Sequence, residues 1–515
     1  MSSVPKSPER HPAEVLITVH DDDPVGQVPR RLFGSFVEHV GRGVYGGIFD
    51  PGHPRSDDRG FRLDVLELVR ELGVTTVRYP GGNFVSGYDW RDGVGPVGAR
   101  PTRLDLAWHT IEPNTFGTDE FADWCRAADV EPMLALNLGL GDLVSALRLV
   151  EYVNFPSGTT LSEQRAANGH PEPHDVRIWC LGNEMDGHWQ LGHLSASEYG
   201  DRAARAAAAL RMFDDTLELV VAGSANADMA TFATWDREVL ERTIDLVDLL
   251  SCHLYVYNDG DLPAFLASSQ RMDAFIEQIA ATVAHVRAAT RSSRDVRISF
   301  DEWNVWNYRA HDAVAHGLGW ERAPRLLEDA YTLADAVVVG TMLLSLLDHC
   351  DVVASACMAQ LVNVIGPIRT ETDHAAWRQT SFFPFADVAR TVGHTVLRAR
   401  ARGATVPGPR GDQPAVRAGV TVDPTGGVGR VFLAHLGTTR PAAVTVDLAG
   451  LGVVAVRAAS VLHHPDPLAA NTATDPDAVR PQPLDARLVG KDLVVDLPPV
   501  SWASVEVELR KEPRG

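Results

Sequence analysis

The sequence is short of the features that mark exported and membrane-anchored proteins. It has no N-x-Ser/Thr glycosylation site, and residues 1–14 hold no apolar stretch that would predict a signal peptide. The most apolar run, Ala336–Leu347, is shorter than the ~20 residues that a membrane-spanning helix needs. The cysteines are odd in number and lack C-x-x-C spacing, so they predict no disulfide framework and a reducing, cytoplasmic setting. They are Cys125, Cys180, Cys252, Cys350 and Cys357.

Positive charge is also scarce. The chain has 47 Lys and Arg against 68 Asp and Glu, which gives a net charge of −21. Because nucleic acids and anionic membranes are bound by basic surfaces, neither is a predicted partner. With 45% hydrophobic residues in a chain of 515, the protein can bury a large core. A single core stops growing near ~250–300 residues, so we expect one large domain and a smaller one.

Short apolar runs alternate with amphipathic stretches from about residue 31 to residue 391. Helical periodicity is clearest at Asp64–Leu72, Thr118–Ala128, Ser197–Met212 and Met272–Thr290. Eight strand–helix units in one region predict an α/β fold of the (β/α)8 (TIM) barrel type, with a doubly wound sheet as the alternative. The predicted strands are Leu32–Val37, Val74–Tyr79, Met133–Asn137, Arg177–Asn183, Leu217–Gly223, Leu246–His253, Val296–Glu302 and Ala354–Gln360.

The composition changes near residue 401. Residues 404–430 are rich in glycine and proline, and the short alternating runs that follow predict an all-β sandwich. The predicted domains are a disordered N-terminus (1–13), a strand segment joining the sandwich (14–28), the catalytic barrel (29–395) and the C-terminal sandwich (396–515). The runs are Arg430–Leu436, Ala443–Leu448, Val454–Leu462, Leu493–Leu497 and Ser504–Leu509.

Polar residues stand at the carboxyl ends of the predicted barrel strands, where barrel enzymes hold their active sites. Glu184 and Glu302 end two such strands, and across a barrel mouth they would form the carboxylate pair of a glycoside hydrolase. The other strand-end candidates are Glu38, His39, Arg78, Asn83, Asn183, His253, Tyr255, Asp301, Gln360 and Asn363. Aromatic rings that can stack on sugars are abundant, namely Trp90, Trp108, Trp179, Trp189, Trp303, Trp306 and Trp377.

These residues also allow purely structural interpretations. A strand-end glutamate can be an ion-pair partner, and Glu38 can simply pair with Arg78. His253 can be a buried, hydrogen-bonded histidine, and any one tryptophan can be a core residue. Asp301 directly precedes Glu302 on a strand, so side-chain alternation predicts that it faces the other side and is structural.

Competing motifs lack the context that they require. Two G-x-G-x-x-G segments, Gly41–Gly46 and Gly93–Gly98, open no predicted helix, which argues against a nicotinamide oxidoreductase. The chain has no Walker A, G-x-S-x-G or H-E-x-x-H motif. His188 and His193 are five apart, which is poor spacing for shared metal ligation on a helix. We therefore predict no metal site.

Five longer segments resemble the signatures of a known enzyme family. They occur in the family's order, and the resemblance as a whole runs from about residue 33 to the C-terminal β region. They are similar to those of the α-L-arabinofuranosidases of glycoside hydrolase family 51. The segments are FVEHVGRGVYGG (36–47), RYPGGNF (78–84), WCLGNEMDG (179–187), DEWNVW (301–306) and AQLVNVI (359–365).

The resemblance implies a (β/α)8 barrel with a jelly-roll-like C-terminal sandwich, no cofactor, and a homo-oligomer, often a hexamer. It implies a retaining mechanism in which Glu184 matches the acid/base and Glu302 the nucleophile. Around His253 the sequence departs from relatives that often carry adjacent tyrosines, which bears on the aglycone side and not on the carboxylates. His253 is predicted to be a supporting residue. Other matches are Glu38, Asn83 and Asn183 to arabinofuranose-binding positions, Tyr255 to the tyrosine beside the nucleophile, Gln360 and Trp108 to further substrate contacts, and Arg78 to a residue beneath the site.

The resemblance predicts a cytoplasmic, exo-acting α-L-arabinofuranosidase. Its substrates would be arabino- and arabinoxylo-oligosaccharides, from which it would release terminal arabinofuranose. The alternatives are an endo-β-glucanase or xylanase on the same barrel and a non-catalytic carbohydrate-binding protein. The presence of both carboxylates argues against the last, because binding alone needs neither.

Overall fold

The computed structural model describes residues 12–308, 319–423 and 427–510. The predicted disorder of residues 1–11 lies outside the described residues, and a strand already begins at Ala13. The strands up to residue 378 are β1 (Ala13–Gln27), β2 (Gly34–Phe36), β3 (Thr76–Tyr79), β4 (Arg103–Asp105), β5 (Thr110–Glu112), β6 (Glu131–Ala135), β7 (Ile178–Leu181), β8 (Glu218–Val221), β9 (Leu249–Val256), β10 (Arg297–Val305), β11 (Val353–Met358), β12 (Ile368–Glu371) and β13 (His374–Arg378).

Eight of these strands close into a parallel barrel. Their hydrogen-bonded order is β10-β11-β2-β3-β6-β7-β8-β9, and each overlaps one of the eight apolar runs of the sequence. The predicted TIM barrel is thus confirmed, and the doubly wound alternative is wrong. Strands β4 and β5 form a separate hairpin in the long connection between β3 and the next helix.

Helices surround the barrel. The four helices predicted from periodicity are present, with bounds that differ from the prediction by at most three residues. Among the described residues no helix combines the length and apolarity needed to cross a membrane. The helices are α1 (Leu63–Leu72), α2 (Thr118–Ala128), α3 (Leu143–Asn154), α4 (Thr160–Ala167), α5 (Ala196–Phe213), α6 (Thr234–Thr243), α7 (Leu262–Leu266), α8 (Ser269–Thr290), α9 (Leu333–Asp348) and α10 (Phe382–Ala389).

Helix α9 contains the most apolar run of the sequence because it is covered on both sides. It contacts the barrel strand β10 on one side and the C-terminal strands on the other. Residues 336–347 are all buried. A Cβ at Gly340 would stand 2.4 Å from the Trp502 ring, so only glycine permits this approach to the last strand of the chain. The helix therefore joins the two parts of the molecule through apolar contact.

The C-terminal region is an all-β domain, as predicted. Its ten-stranded sheet has the order β21-β20-β24-β18-β17-β14-β1-β19-β23-β22, so the first strand of the chain lies near its middle. Strands β20 and β22, near opposite ends of this order, contact each other, which shows that the sheet curls around its own core. The strands are β14 (Thr395–Gly403), β15 (Thr405–Val406), β16 (Gln413–Pro414), β17 (Val416–Val422), β18 (Val428–His435), β19 (Ala442–Asp447), β20 (Val453–Leu462), β21 (Pro481–Pro483), β22 (Ala486–Val489), β23 (Asp492–Leu497) and β24 (Ser501–Leu509).

Candidate active site

Two carboxylates face each other at the carboxyl ends of the barrel strands. Glu184 lies in the turn that follows β7, and Glu302 lies within β10. A side-chain oxygen of each, together with a ring nitrogen of His253, lies within 4.8 Å of the others. Glu184 has φ +43°, a left-handed conformation that costs a non-glycine residue about 1–3 kcal/mol. Such backbone strain is typical of functional residues.

Both oxygens of Glu302 accept hydrogen bonds. The Arg78 guanidinium donates to Oε1 at 2.6 Å, and the Tyr255 hydroxyl donates to Oε2 at 2.8 Å. Arg78 also donates to Asn183 Oδ1 at 2.6 Å and stacks on the Phe36 ring, 4.8 Å from its centroid. A buried guanidinium so placed forms a charge-assisted hydrogen bond to the carboxyl group and fixes its orientation.

Asp301 contacts the same guanidinium, which contradicts the prediction that it faces the other side of the strand. Its Oδ2 lies 3.5 Å from Arg78 Nε, and its Oδ1 accepts a hydrogen bond of 2.5 Å from Ser251. The reason is a bulge. Between Ser299 and Glu302, β10 has one residue more than the segment of β9 that pairs with it. Between Phe300 and Trp303 it likewise has one residue more than the paired segment of β11. The extra residue breaks the alternation and lets consecutive carboxylates reach one cation.

Glu184 is held by an indole and an imidazole. Trp189 Nε1 donates to Oε2 at 2.6 Å, and His253 Nδ1 lies 2.8 Å from Oε1. Burial acts to lower the pKa of His253, but the carboxylates of Glu302, Asp301 and Glu184 outweigh it and raise the pKa to about 10. The histidine is therefore a buried, hydrogen-bonded cation inside the carboxylate cluster.

Glu38 lies on another side of the pocket, after β2. Its Oε1 accepts from the Phe84 amide at 2.9 Å and the Trp108 indole at 2.8 Å, and its Oε2 accepts from Gln360 at 3.2 Å. The interpretation of Glu38 as an ion-pair partner of Arg78 is therefore wrong. Burial raises the pKa of Glu38 to about 8. A Cβ at Gly81 would stand 2.8 Å from Glu38 Cγ, which explains a glycine in the segment after β3.

The two asparagines complete the ring of polar groups. Asn83 begins a short 3-10 helix after β3, and its Oδ1 lies 3.5 Å from Asn183 Nδ2. All ten site residues predicted from the sequence thus lie at the carboxyl ends of barrel strands or on the loops that follow them. Sequence reasoning did not assign Ser251 to the site, nor Gln190, whose Oε1 lies 3.5 Å from Asn183 Nδ2. It named Trp189 only as one of seven rings that could stack on a sugar, although its place five residues after Glu184 was an available signal.

The tryptophans divide into core and site residues. Trp108 and Trp189 each donate to a site carboxylate, and Trp306 packs edge-on to the Tyr255 ring with centroids 5.2 Å apart. The others are buried structural residues, namely Trp90, Trp179, Trp303 and Trp377.

The cluster of Glu184, His253 and Glu302 also has the donor atoms that a metal ion would need. A cation there would have to displace the proton of His253 and compete with the Arg78 guanidinium for Glu302. The geometry therefore suits a hydrogen-bonded carboxylate pair better than a metal centre. Such a pair, with one oxygen of each partner within 4.8 Å, fits nucleophilic attack by one carboxylate and proton transfer by the other.

Comparison with known proteins gives consistent matches. Residues 68–275 match the family model described as alpha-L-arabinofuranosidase 1 domain, and residues 301–501 match the alpha-L-arabinofuranosidase C-terminal domain. An intracellular exo-alpha-(1->5)-L-arabinofuranosidase of Bifidobacterium longum is 46% identical over 94% of this chain and 90% of its own length. An exo-alpha-(1->6)-L-arabinofuranosidase of the same species is 48% identical over 96% and 97%. The solved structure of a family 51 alpha-L-arabinofuranosidase from Bifidobacterium longum, 45% identical, matches 96% of this chain and all of its own, with a TM-score of 0.92.

Proposed function

The chain belongs to the α-L-arabinofuranosidases of glycoside hydrolase family 51, and on that premise we propose that Glu302 is its nucleophile and Glu184 its acid/base. The protein is a retaining, exo-acting α-L-arabinofuranosidase of the cytoplasm, like relatives that are named intracellular. The observation that supports a retaining pair is that an oxygen of each carboxylate lies within 4.8 Å of the other, since retaining enzymes hold their carboxyl groups about 5–5.5 Å apart and inverting ones about 6.5–9.5 Å apart. The contacts of Arg78 and Tyr255 with Glu302 support Glu302 as the attacking carboxylate.

In the first step Glu302 attacks the anomeric carbon of arabinofuranose. A bond forms between that carbon and a carboxylate oxygen while the bond to the leaving oxygen breaks, and Glu184 gives its proton to the leaving oxygen. Arg78 and Tyr255 fix the orientation of Glu302 before attack through hydrogen bonds to its two oxygens.

In the second step water replaces the nucleophile. Glu184, now ionised, takes a proton from the water. The water oxygen bonds to the anomeric carbon as the ester bond between that carbon and Glu302 breaks. Two displacements restore the original configuration. His253 and Trp189 hold Glu184 in place for both steps through hydrogen bonds to its two oxygens.

We propose that the glycone hydroxyls bind to Glu38, Asn83, Asn183 and Gln360, with Trp108 as a further contact. These side chains line the mouth beside Glu302 and carry acceptors and donors at its polar rim. Burial among them excludes water and favours a single sugar over a chain.

Arabino- and arabinoxylo-oligosaccharides are the substrates that we propose. Relatives of 46% and 48% identity are named for (1->5) and (1->6) linkages, so overall similarity does not select one linkage. Comparing kcat/KM on the two disaccharides would identify the preferred one.

The roles of the two carboxylates are separated by substitution. Glu302→Ala removes the nucleophile, so activity should fall by several orders of magnitude on every substrate. Glu184→Ala should cost about 10²–10⁴-fold or more on natural oligosaccharides, whose alkoxide must be protonated as it leaves. On an aryl arabinofuranoside the first step should survive and produce a burst of phenolate.

Azide distinguishes the variants further, because it attacks without a general base. It should restore turnover of Glu184→Ala and yield the arabinosyl azide of retained configuration, and it should not do so with Glu302→Ala. Glu218→Ala is the matched control, since Glu218 lies at the opposite, amino-terminal end of β8. If Glu184→Ala lost activity equally on aryl and natural substrates and azide did not rescue it, Glu184 would not be the acid/base. If the two variants responded the other way round, the two roles would be reversed.

We propose that the protein forms a homo-oligomer, and the family resemblance implies that this oligomer is a hexamer. An exposed apolar face supports self-association: Met212 is 89% exposed, and Phe213 beside it lies 6.3 Å from the Phe155 ring. A monomeric mass by light scattering at micromolar concentration would contradict this. We also propose the division predicted from the sequence into a barrel (29–395) and a C-terminal sandwich (396–515) that the N-terminal strand segment (14–28) joins, with the sandwich as a structural partner of the barrel; β1 pairs with β14 and β19 in the same sheet.

A further inference from the structure

A strap of chain, residues 319–328, crosses one side of the barrel mouth after β10. It is docked first above β11, where the Ile365 amide donates to the Leu327 carbonyl at 2.7 Å. It is docked next above β2, where Arg42 pairs with Glu328 at 2.7 Å. The C-terminal end of the strap thus lies over β11 and β2, the two strands that follow β10 in the barrel order.

The far end of the strap meets the β4–β5 hairpin, which belongs to the connection after β3. The Ile111 amide donates to the Glu321 carbonyl at 2.8 Å, and Thr110 and Glu321 form an isolated β-bridge. Strap and hairpin thus contact each other and form a wall on the side of the mouth where β11, β2 and β3 end.

The wall stands opposite the acid/base. In the closed ring of eight strands, β7, which leads to Glu184, lies four places from β11, which leads to Gln360. Because the leaving oxygen must meet Glu184, the aglycone lies on the β7 side. A sugar attached to the glycone would have to extend the other way, over Glu38 and Gln360, and the wall stands there.

The outermost contact between strap and hairpin is a ring stack. The His109 and Trp320 rings have centroids 3.8 Å apart, although both side chains are exposed and Trp320 retains 39% of its surface. His109 has φ +56°, a left-handed conformation that non-glycine residues rarely adopt. The hairpin thus holds His109 in a strained backbone conformation that directs its ring at the strap.

We propose that the strap and the hairpin are the wall that limits this enzyme to terminal arabinofuranose, and that the His109–Trp320 stack determines specificity by closing its outer edge. The inference rests on the proposed function, because it uses the position of Glu184 to tell glycone from aglycone. The alternative role for the same two rings is a platform for distant aglycone sugars. The two roles predict different products from an arabinobioside.

The test uses p-nitrophenyl α-1,5-L-arabinobioside. The wild type should remove the terminal arabinose first, so nitrophenol appears after a lag and arabinobiose does not form. A variant with His109→Gly and Trp320→Gly should admit the second sugar beyond the glycone and release nitrophenol and arabinobiose directly. We expect the arabinobiose share to rise at least about tenfold, which corresponds to about 1.4 kcal/mol of relieved crowding.

Two controls accompany the double variant. Leu104→Gly changes another exposed residue of the hairpin, 58% exposed, and should leave the lag unchanged. The kcat/KM on p-nitrophenyl α-L-arabinofuranoside should stay near the wild-type value in both variants, which also shows that they fold.

Three outcomes would overturn the inference. An active double variant that forms no arabinobiose would show that the stack does not set the limit. Equal losses on the arabinofuranoside and the arabinobioside would show that the rings shape the glycone pocket itself. A rise in KM confined to longer oligosaccharides would assign the rings to the aglycone. Failure of the proposed function is distinct, since it would appear as aryl-arabinofuranosidase activity in Glu302→Ala.

Discussion

Replacing His253 by glutamine removes a positive charge from among three carboxylates. Its Nδ1 lies 2.8 Å from Glu184 Oε1 and 3.6 Å from Glu302 Oε2, and its Nε2 lies 3.4 Å from Asp301 Oδ1. The imidazole is 3% exposed, so water screens these interactions little. We expect the substitution to reduce stability by an amount that depends on pH.

The sign follows from the pKa. Although burial lowers it, the carboxylates raise the pKa of His253 from 6.5 to about 10 on folding. Because the folded value is the higher one, the stability contributed by protonation is complete below about pH 6.5 and is lost as the pH rises through about 10. The contribution is on the order of 4 kcal/mol at pH 7 and about 1 kcal/mol at pH 9.

The assay is denaturant-induced unfolding, followed by tryptophan fluorescence, at pH 7, 8 and 9. The difference in unfolding free energy between the wild type and His253→Gln should shrink as the pH rises. His285→Gln, on the exposed face of α8, serves as the control and should show no such trend. A difference that stays constant from pH 7 to pH 9, or grows, would refute a charged His253. The variant should also lose about 10–100-fold in kcat, since a hydrogen bond to a charged group contributes about 1.5–3 kcal/mol.

Three further predictions test other parts of the molecule. Trp189→Phe keeps an aromatic ring but removes the donor to Glu184, so kcat/KM should fall about tenfold or more with little change in melting temperature. Arg417 of β17 pairs with Asp273 and Asp348 of the barrel helices, each at 3.1 Å, and Arg417→Met removes this cation. Because the two carboxylates are 26% and 35% exposed, we expect the unfolding free energy to fall by about 2–3 kcal/mol, with unchanged activity of the folded protein. Time-resolved NMR should show that the first-formed arabinose retains the substrate's configuration, and an inverted anomer would exclude a nucleophilic role for the β10 carboxylate.

The barrel was readable from local pattern. Parallel strands are buried on both faces, so each appears as a short, mainly apolar run, and all eight runs proved to overlap barrel strands. In the C-terminal domain the signal is weaker. Strand β14 alternates alanine with Arg398, Arg400 and Arg402, and β17 lies inside a glycine- and proline-rich stretch, so neither was predicted.

The family and the two candidate carboxylates could be predicted without coordinates, because Glu184 and Glu302 lie in long collinear motifs. That Asp301 joins Glu302 at Arg78 could not, since a bulge is a matter of register between strands. The raised pKa of His253 could not be predicted either, because it depends on carboxylates that folding brings to it from β10 and from the turn after β7. The strap over the glycone likewise depends on contacts between residues more than two hundred positions apart, such as Ile111 and Glu321. Periodicity and motifs predict the secondary structure and the chemistry of a segment. The charge of a buried residue, the register of a strand and the walls of a pocket depend on neighbours that only folding brings together.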